Sequence, residues 1–335
     1  MIPTEKMMTT PTLRALTVAL AGLGVALTLT AQAQTKWDMP TPYVDGEFHT
    51  QNIREFTEEI AKNTNKQLDI VIHSGQSLIK HPDMLRAVST GQVNIAEFLL
   101  GQFGNEDPMF AVDNIPFVAT GFDSAWKFYQ AHRPYLEKRL QGRGLRLLYS
   151  IAWPSQGIYT KTAMKSLDDL KGAKFRSYSP LTARLAELLG ASPTVVQATD
   201  IPQAFATNTV QAMITSSATG VAFKAWEYTK FYYTTEAFHP RNVVVVNERA
   251  FQRLPDPVKK AVLDAAATAE TRGWQLARTR EGVGNKTLAD NGITLATPDA
   301  AMKATLAKIG DQMLGEWLKT AGTDGEAMMK TYRGK

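Results

Sequence analysis

Cysteine is absent from the 335 residues. The chain therefore has no disulfide, no thiolate metal site and no cysteine that could carry a lipid anchor behind a leader. Histidine is also scarce, and the five histidines are scattered without an HxH or HExxH pair. No GxSxG elbow or phosphate-cradling glycine loop occurs. These absences argue against an enzyme, and we predict neither a cofactor nor a metal ion.

Long hydrophobic runs are confined to the start of the chain. Basic Lys6 and Arg14 precede an apolar run over residues 15–29, and Ala31 and Ala33 have the small side chains of a leader cleavage site. The run has about fifteen residues, fewer than the roughly 20 that a membrane-spanning helix needs. We predict a signal peptide over residues 1–33, cleaved near Ala33, and a periplasmic protein that does not itself span the membrane.

A strong excess of either charge is missing too. The formal net charge of +5 is mild and evenly spread, which argues against nucleic acid as a partner. It fits a soluble protein, and it also fits a basic cleft for an anionic small molecule. The roughly 300 residues after the leader exceed what one hydrophobic core usually serves, so two lobes are expected.

The most informative stretch begins at Ser166 and reads SLDDLKGAKFRSYSP. A turn leads into a strand over residues 173–178, an amphipathic helix follows, and a second strand lies near residues 193–196. In this βαβ unit, Arg176 lies near the carboxyl end of the first strand, where open α/β sheets bind ligands. Its guanidinium can hold a carboxylate through two parallel hydrogen bonds. The alternative is a surface arginine paired with Glu187 or Asp169.

The run DLKGxKxR, the following helix ending in LLGASP and the polar turn after a later strand resemble the solute-binding proteins of TRAP transporters (tripartite ATP-independent periplasmic, DctP type). The likeness extends from HSGQSL and GQVNIAEF to NVVVVN and a long helix near the carboxyl terminus. It implies an α/β fold, a two-lobed periplasmic binding protein of the Venus-flytrap kind with mixed sheets and a long helix shared by both lobes. It also implies that Arg176 clamps a substrate carboxylate and that the partners are the small and large TRAP membrane subunits, driven by an ion gradient.

Alternating strand and helix patterns, with crossovers near Trp153 and Asn242, divide the chain into two discontinuous parts. We predict lobe I over residues 34–153 plus about 242–275. Lobe II is predicted over residues 154–241 plus about 276–335. Several crossovers of this kind make a hinge, and closure around a ligand is its usual consequence.

Polar candidates accompany Arg176 at two places. Gln156 stands where many members of the resembled family carry a second arginine, which favours a monocarboxylate ligand; alternatively, it is an exposed loop residue. Thr215, Ser216 and Ser217 follow a strand where that family usually reads DGxxN. Their hydroxyls could bind a carboxylate, or they could close the hydrogen bonds of their own turn.

Aromatic candidates lie at strand ends or crossovers, where they could wall an apolar ligand body or simply pack in the core: Trp153, Tyr178, Phe98 and Tyr43. Ser179 either contacts the ligand or caps the next helix, and capping is favoured. Asn242 and His239, just before a buried return strand, are further candidates.

Two other functions have some support in the sequence. Residues 77–80 spell SxxK, the nucleophile motif of penicillin-recognising enzymes, but neither SDN nor KTG follows. An exported SxxK serine hydrolase is therefore the distant alternative. A solute-binding protein of an ATP-driven importer or of a sensor is the nearer one. The sequence as a whole predicts a receptor that captures a small organic acid, with a monocarboxylate favoured, and performs no chemistry on it.

Overall fold

The computed structural model describes residues 34–334, so the predicted leader lies outside the described residues. The strands are Thr35–Pro40 (β1), Leu68–His73 (β2), Ile95–Leu99 (β3), Leu145–Ala152 (β4), Gln156–Thr160 (β5), Lys174–Ser177 (β6), Ser192–Val195 (β7), Ala212–Ser216 (β8), Phe231–Tyr233 (β9), Arg241–Asn247 (β10) and Thr294–Ala296 (β11). The α-helices are Phe48–Asn63 (α1), Met84–Thr90 (α2), Phe122–Gln141 (α3), Pro180–Leu188 (α4), Ile201–Ala206 (α5), Ser217–Ala222 (α6), Glu248–Gln252 (α7), Asp256–Asp290 (α8) and Ala300–Arg333 (α9).

The strands form two separate main sheets and a small pair. One sheet has the order β3-β10-β4 and is antiparallel, and β1 pairs with β2 in parallel beside it. The other sheet is mixed, with the order β11-β9-β5-β8-β6-β7. Strand β10 is central in its sheet and buried along its whole length, which explains its unbroken run of valines, since β-branched residues suit a strand that is covered on both faces.

Helix α8 joins the two sheets along one side of the molecule. Its first half packs on α1 and β4, where Asn52 Nδ2 donates to the carbonyl of Ala269 (3.1 Å). Its second half packs on α6 and β11, where the Glu281 carboxylate accepts from the backbone N–H and the hydroxyl of Ser155. The helix therefore serves both halves of the fold, as the sequence predicts.

Two extended segments cross side by side between the sheets. Trp153 N donates to the carbonyl of Pro240 (2.8 Å), and Gln156 N donates to the carbonyl of Phe238 (3.1 Å). These bonds join residues 153–156 to residues 238–240, and the lobe boundaries stay a prediction. Helix α9 packs against both α3 and α4, so the terminal helix also contacts both halves of the fold.

Candidate functional site

A cavity lies where β1, β3 and the crossing segments face the carboxyl ends of β6 and β8. It is lined by Pro42, Tyr43, His81, Leu99, Trp153, Gln156, Arg176, Tyr178, Gln197, Ala198, Thr215, Ser216, Thr219 and Pro240. Seven of the ten residues singled out from the sequence are in this set: Tyr43, Trp153, Gln156, Arg176, Tyr178, Thr215 and Ser216.

Arg176 reaches the cavity from β6, beside the parallel strand β8. Its Nε donates to the carbonyl of Val196 (3.0 Å), and its Nη1 donates to the carbonyl of Ile214 (3.3 Å). The residue is only 3 % exposed, and burial lowers the pKa of its guanidinium to about 10. Among residues 34–334 no carboxylate lies within ion-pair distance of it. Glu187 pairs with Arg184 instead, so the alternative pairing of Arg176 with Glu187 is not formed.

Neutral polar groups surround the guanidinium. The Tyr178 hydroxyl donates to Gln156 Oε1 (3.1 Å), and Gln156 Nε2 donates to the carbonyl of Pro154 (2.9 Å). These two bonds fix the orientation of the Gln156 amide, which is buried rather than placed on an exposed loop. The Tyr178 ring also lies against the guanidinium, with 5.1 Å between the ring centroid and Arg176 Cζ. Thr215, beside them on β8, lines the cavity.

The opposite wall is aromatic. The rings of Tyr43 and Trp153 meet edge to face, with centroids 4.9 Å apart. Pairs of this geometry are favourable and hold each other in place. The wall gives a ligand an apolar surface facing the polar groups around Arg176.

His81 and Gln197 are cavity residues that the sequence reasoning missed. His81 Nδ1 and the Gln197 side-chain amide are hydrogen-bonded (2.9 Å). Burial lowers the pKa of His81 to about 4, so the imidazole is neutral near pH 7. Arg176 is therefore the one charged side chain among the described residues that line this cavity at neutral pH.

Three predicted residues lie elsewhere. Phe98 packs edge to face on Phe103 in an apolar cluster. Ser179 accepts a hydrogen bond from Thr182 N and caps α4, the role that the sequence favoured. Ser217 Oγ donates to the carbonyl of Glu281 on α8 (3.3 Å).

Of the two further candidates, Asn242 binds cavity-wall residues through hydrogen bonds, and His239 contacts Phe122. Ser77 and Lys80 of the SxxK sequence lie exposed in the loop after β2. Within residues 34–334 no helix is long and apolar enough to cross a bilayer. The same part of the chain contains no group of three histidine or acidic side chains placed to hold a metal ion.

Comparison with known proteins identifies the family. The family described as bacterial extracellular solute-binding protein, family 7 (DctP), matches residues 44–319, which is most of the chain. The chain belongs to this family. This family-7 protein is therefore a TRAP-type solute receptor and not an enzyme, and its predicted α/β, two-lobed fold class is confirmed.

Several proteins are similar to the family-7 protein, and two of those described below have known structures. An extracytoplasmic solute receptor of Bordetella pertussis that binds pyroglutamic acid is 45 % identical with a TM-score of 0.88, over 89 % of this chain and 99 % of that one. A TRAP solute-binding protein from a marine metagenome, specific for pyroglutamate, is 34 % identical with a TM-score of 0.88, over 90 % and 99 % of the two chains. The sialic acid-binding periplasmic protein of Vibrio cholerae is 21 % identical over 86 % of this chain and 90 % of that protein.

Proposed function

We propose that the family-7 protein captures a small cyclic monocarboxylate, of which L-pyroglutamate is the model, and that Arg176 holds the carboxylate. The main support for this proposal is that Arg176 is buried beside the cavity and has no acidic partner among the described residues. A buried charge is costly unless it is paired. A ligand carboxylate supplies the missing partner, and the N–H groups that remain on the guanidinium suit a carboxylate.

The cavity chemistry favours one negative charge on the ligand. A second carboxylate would face Gln156, which carries no positive charge, and a neutral His81–Gln197 pair. Amide, imidazole and hydroxyl groups instead match the C=O and N–H of an amide, since each can donate or accept. The Tyr43–Trp153 wall suits the apolar edge of a small ring. Pyroglutamate combines one carboxylate, one amide and one ring, and it is the ligand named for two of the similar receptors.

The same family membership supports export and delivery to the membrane. We infer that residues 1–33 are removed near Ala33, that the mature receptor acts in the periplasm, and that it passes its ligand to small and large TRAP membrane subunits. Intact-mass analysis of the exported protein tests the cleavage position. Ligand uptake by vesicles that contain the membrane subunits tests delivery, and uptake that does not need the receptor would contradict it.

Isothermal titration of the purified mature protein tests the ligand. The panel contains L-pyroglutamate, N-acetyl-L-alanine, L-glutamate, glutarate, a sugar acid and a neutral sugar. We expect the strongest binding for pyroglutamate and weaker binding for the dicarboxylates. Binding confined to neutral sugars or to dicarboxylates would overturn the proposal.

Arg176→Met tests the role of the arginine. The change keeps a long apolar side chain and removes the charge, so affinity should fall by about 2–4 kcal/mol, the order of a bidentate charged pair. The matched control is Arg184→Met on α4, because Arg184 pairs with Glu187 and Glu316 at the surface. Retained affinity in Arg176→Met, or equal losses in both variants, would refute the assignment.

A further inference from the structure

A buried polar network lies directly behind the aromatic wall of the cavity. Asn242 Oδ1 accepts two hydrogen bonds, one from Trp153 Nε1 (2.8 Å) and one from the Tyr43 hydroxyl (3.2 Å). Asn242 stands near the start of β10 and does not itself line the cavity. A single amide oxygen therefore fixes both rings that form the wall.

Glu97 holds this amide in place from the neighbouring strand. Glu97 Oε1 accepts from Asn242 Nδ2 (3.0 Å), and Glu97 Oε2 accepts from the Thr41 hydroxyl (2.6 Å). His49 Nδ1 lies 3.2 Å from the same carboxylate. Because Glu97 Oε1 accepts from Nδ2, the oxygen of the Asn242 amide must point at the wall, which is the orientation that Trp153 and Tyr43 need.

Burying the Glu97 carboxylate and the Asn242 amide costs free energy unless both groups have hydrogen-bond partners. Glu97 is 1 % exposed, and among the described residues no lysine or arginine lies within ion-pair distance of it. An apolar pair of similar shape would pack β3 against β10 without burying a carboxylate. The Asn242–Glu97 pair instead gives the aromatic wall a defined position, because its hydrogen bonds require one orientation of the Asn242 amide.

We propose that Asn242 and Glu97 are positioning residues for ligand selectivity: they set the distance and tilt of Tyr43 and Trp153 so that the cavity accepts a closed ring. The inference rests on the proposed function for the identity of the ring. The network itself is a property of the free protein and can be tested without any ligand.

The amide–carboxylate pair permits an exchange test. Asn242→Asp places two carboxylates in contact, and Glu97→Gln leaves two amides that lack the original charge. The double variant Glu97→Gln/Asn242→Asp restores one donor and one acceptor in the same space, because the new amide at position 97 donates to the new carboxylate at position 242. That carboxylate then offers an oxygen to Trp153 and Tyr43, as the amide of Asn242 does in the wild type.

Affinity is measured for L-pyroglutamate and for N-acetyl-L-alanine, which lacks the ring-closing bond. Asn242→Asp should bind pyroglutamate roughly tenfold to a hundredfold more weakly, the worth of one to two hydrogen bonds. Glu97→Gln should weaken binding by a smaller factor, because a glutamine oxygen can still accept from Asn242 Nδ2. The preference for the ring over the open chain should also shrink. The double variant should recover both quantities to within about threefold, because the wall regains its acceptor.

The control is Glu270→Gln. Glu270 accepts from the Tyr129 hydroxyl (2.7 Å) and from Ser150 N of β4, and it pairs with Arg133, so this change also disturbs a partly buried carboxylate and its hydroxyl partner. It should lower the free energy of unfolding without changing ring preference. Single variants that keep both affinity and preference would overturn the inference while leaving the proposed ligand intact.

A ligand-free measurement separates the two proposals. The indole N–H resonance of Trp153, identified by its loss in Trp153→Phe, should move in each single variant, and in the double variant it should be a single resonance of a hydrogen-bonded indole. If the wild type does not bind pyroglutamate, the proposed ligand is wrong. The resonance would still show whether Asn242 and Glu97 position Trp153. An indole resonance that is unchanged in Asn242→Asp and Glu97→Gln would refute the positioning role.

Discussion

Glu47→Gln should change how the stability of the protein depends on pH. Glu47 caps the first turn of α1, with Oε1 accepting from Phe48 N (3.1 Å). The carboxyl is 3 % exposed, and its second oxygen is buried without a partner among the described residues. Burial raises the pKa of Glu47 to about 7; Glu97 adds to the rise, while the bond from Phe48 N and the charge of Arg280 oppose it.

The sign and size of the effect follow from this shift. The folded state holds the proton more tightly than the unfolded state, whose glutamate pKa is about 4.5. The contribution of Glu47 to the free energy of unfolding is therefore fully present below about pH 4.5, and it is lost as the pH rises through 7. At about 1.4 kcal/mol for each pKa unit, the complete loss is roughly 3 kcal/mol, and about 2–3 kcal/mol of it falls between pH 5 and pH 8. Glutamine keeps the acceptor for Phe48 N and cannot ionise, so Glu47→Gln should lack this loss.

Urea unfolding of ligand-free wild type and Glu47→Gln at pH 5 and pH 8 measures the effect. The difference in the free energy of unfolding between the two proteins should shift by about 2–3 kcal/mol in favour of the variant at pH 8. Glu58→Gln, on the exposed face of the same helix, is the matched control and should show no such shift. A wild-type-to-variant difference that is the same at both pH values would refute the reasoning.

Two further changes should lower stability through other mechanisms. Arg241→Met should cost about 3–5 kcal/mol in urea unfolding, because it leaves Asp113, now 3.0 Å from Arg241 Nε, as a buried charge without its partner. A loss below about 1 kcal/mol would contradict this. Gly157→Ala should lower the melting temperature, since an added Cβ would lie 2.5 Å from the carbonyl oxygen of Tyr233. Gly282→Ala, where no atom lies within 4 Å, is its control, and equal melting temperatures for the two variants would count against the clash.

Local pattern predicted the part of the site that one βαβ unit builds. Arg176 lies near the carboxyl end of its strand because β6, α4 and β7 follow one another directly, with Ser179 and Pro180 starting the helix. Thr215 and Ser216 were predicted from the family resemblance, at the place where that family usually reads DGxxN, and their strand β8 pairs with β6.

Side chains that meet only after distant segments pack were harder to predict. Gln197 and His81 come from separate loops, and no spacing in the sequence connects them. Phe98 was chosen on a strand that is buried on both faces, so hydrophobicity could not tell its two sides apart. Successive strand residues point in opposite directions, and Leu99, one position further, is the residue that lines the cavity.

The central position of β10 in its sheet affects when that sheet can form during synthesis of the chain. Strands β3 and β4 are adjacent to β10 and not to each other, although β10 is synthesised about ninety residues after β4 ends. Until residue 247 has emerged, both strands have unpaired edges and that sheet cannot close. Pairings over such sequence distances form slowly. A growing chain is thereby kept from completing this sheet early, which is consistent with the export that we propose, since an exported chain crosses the membrane before it folds.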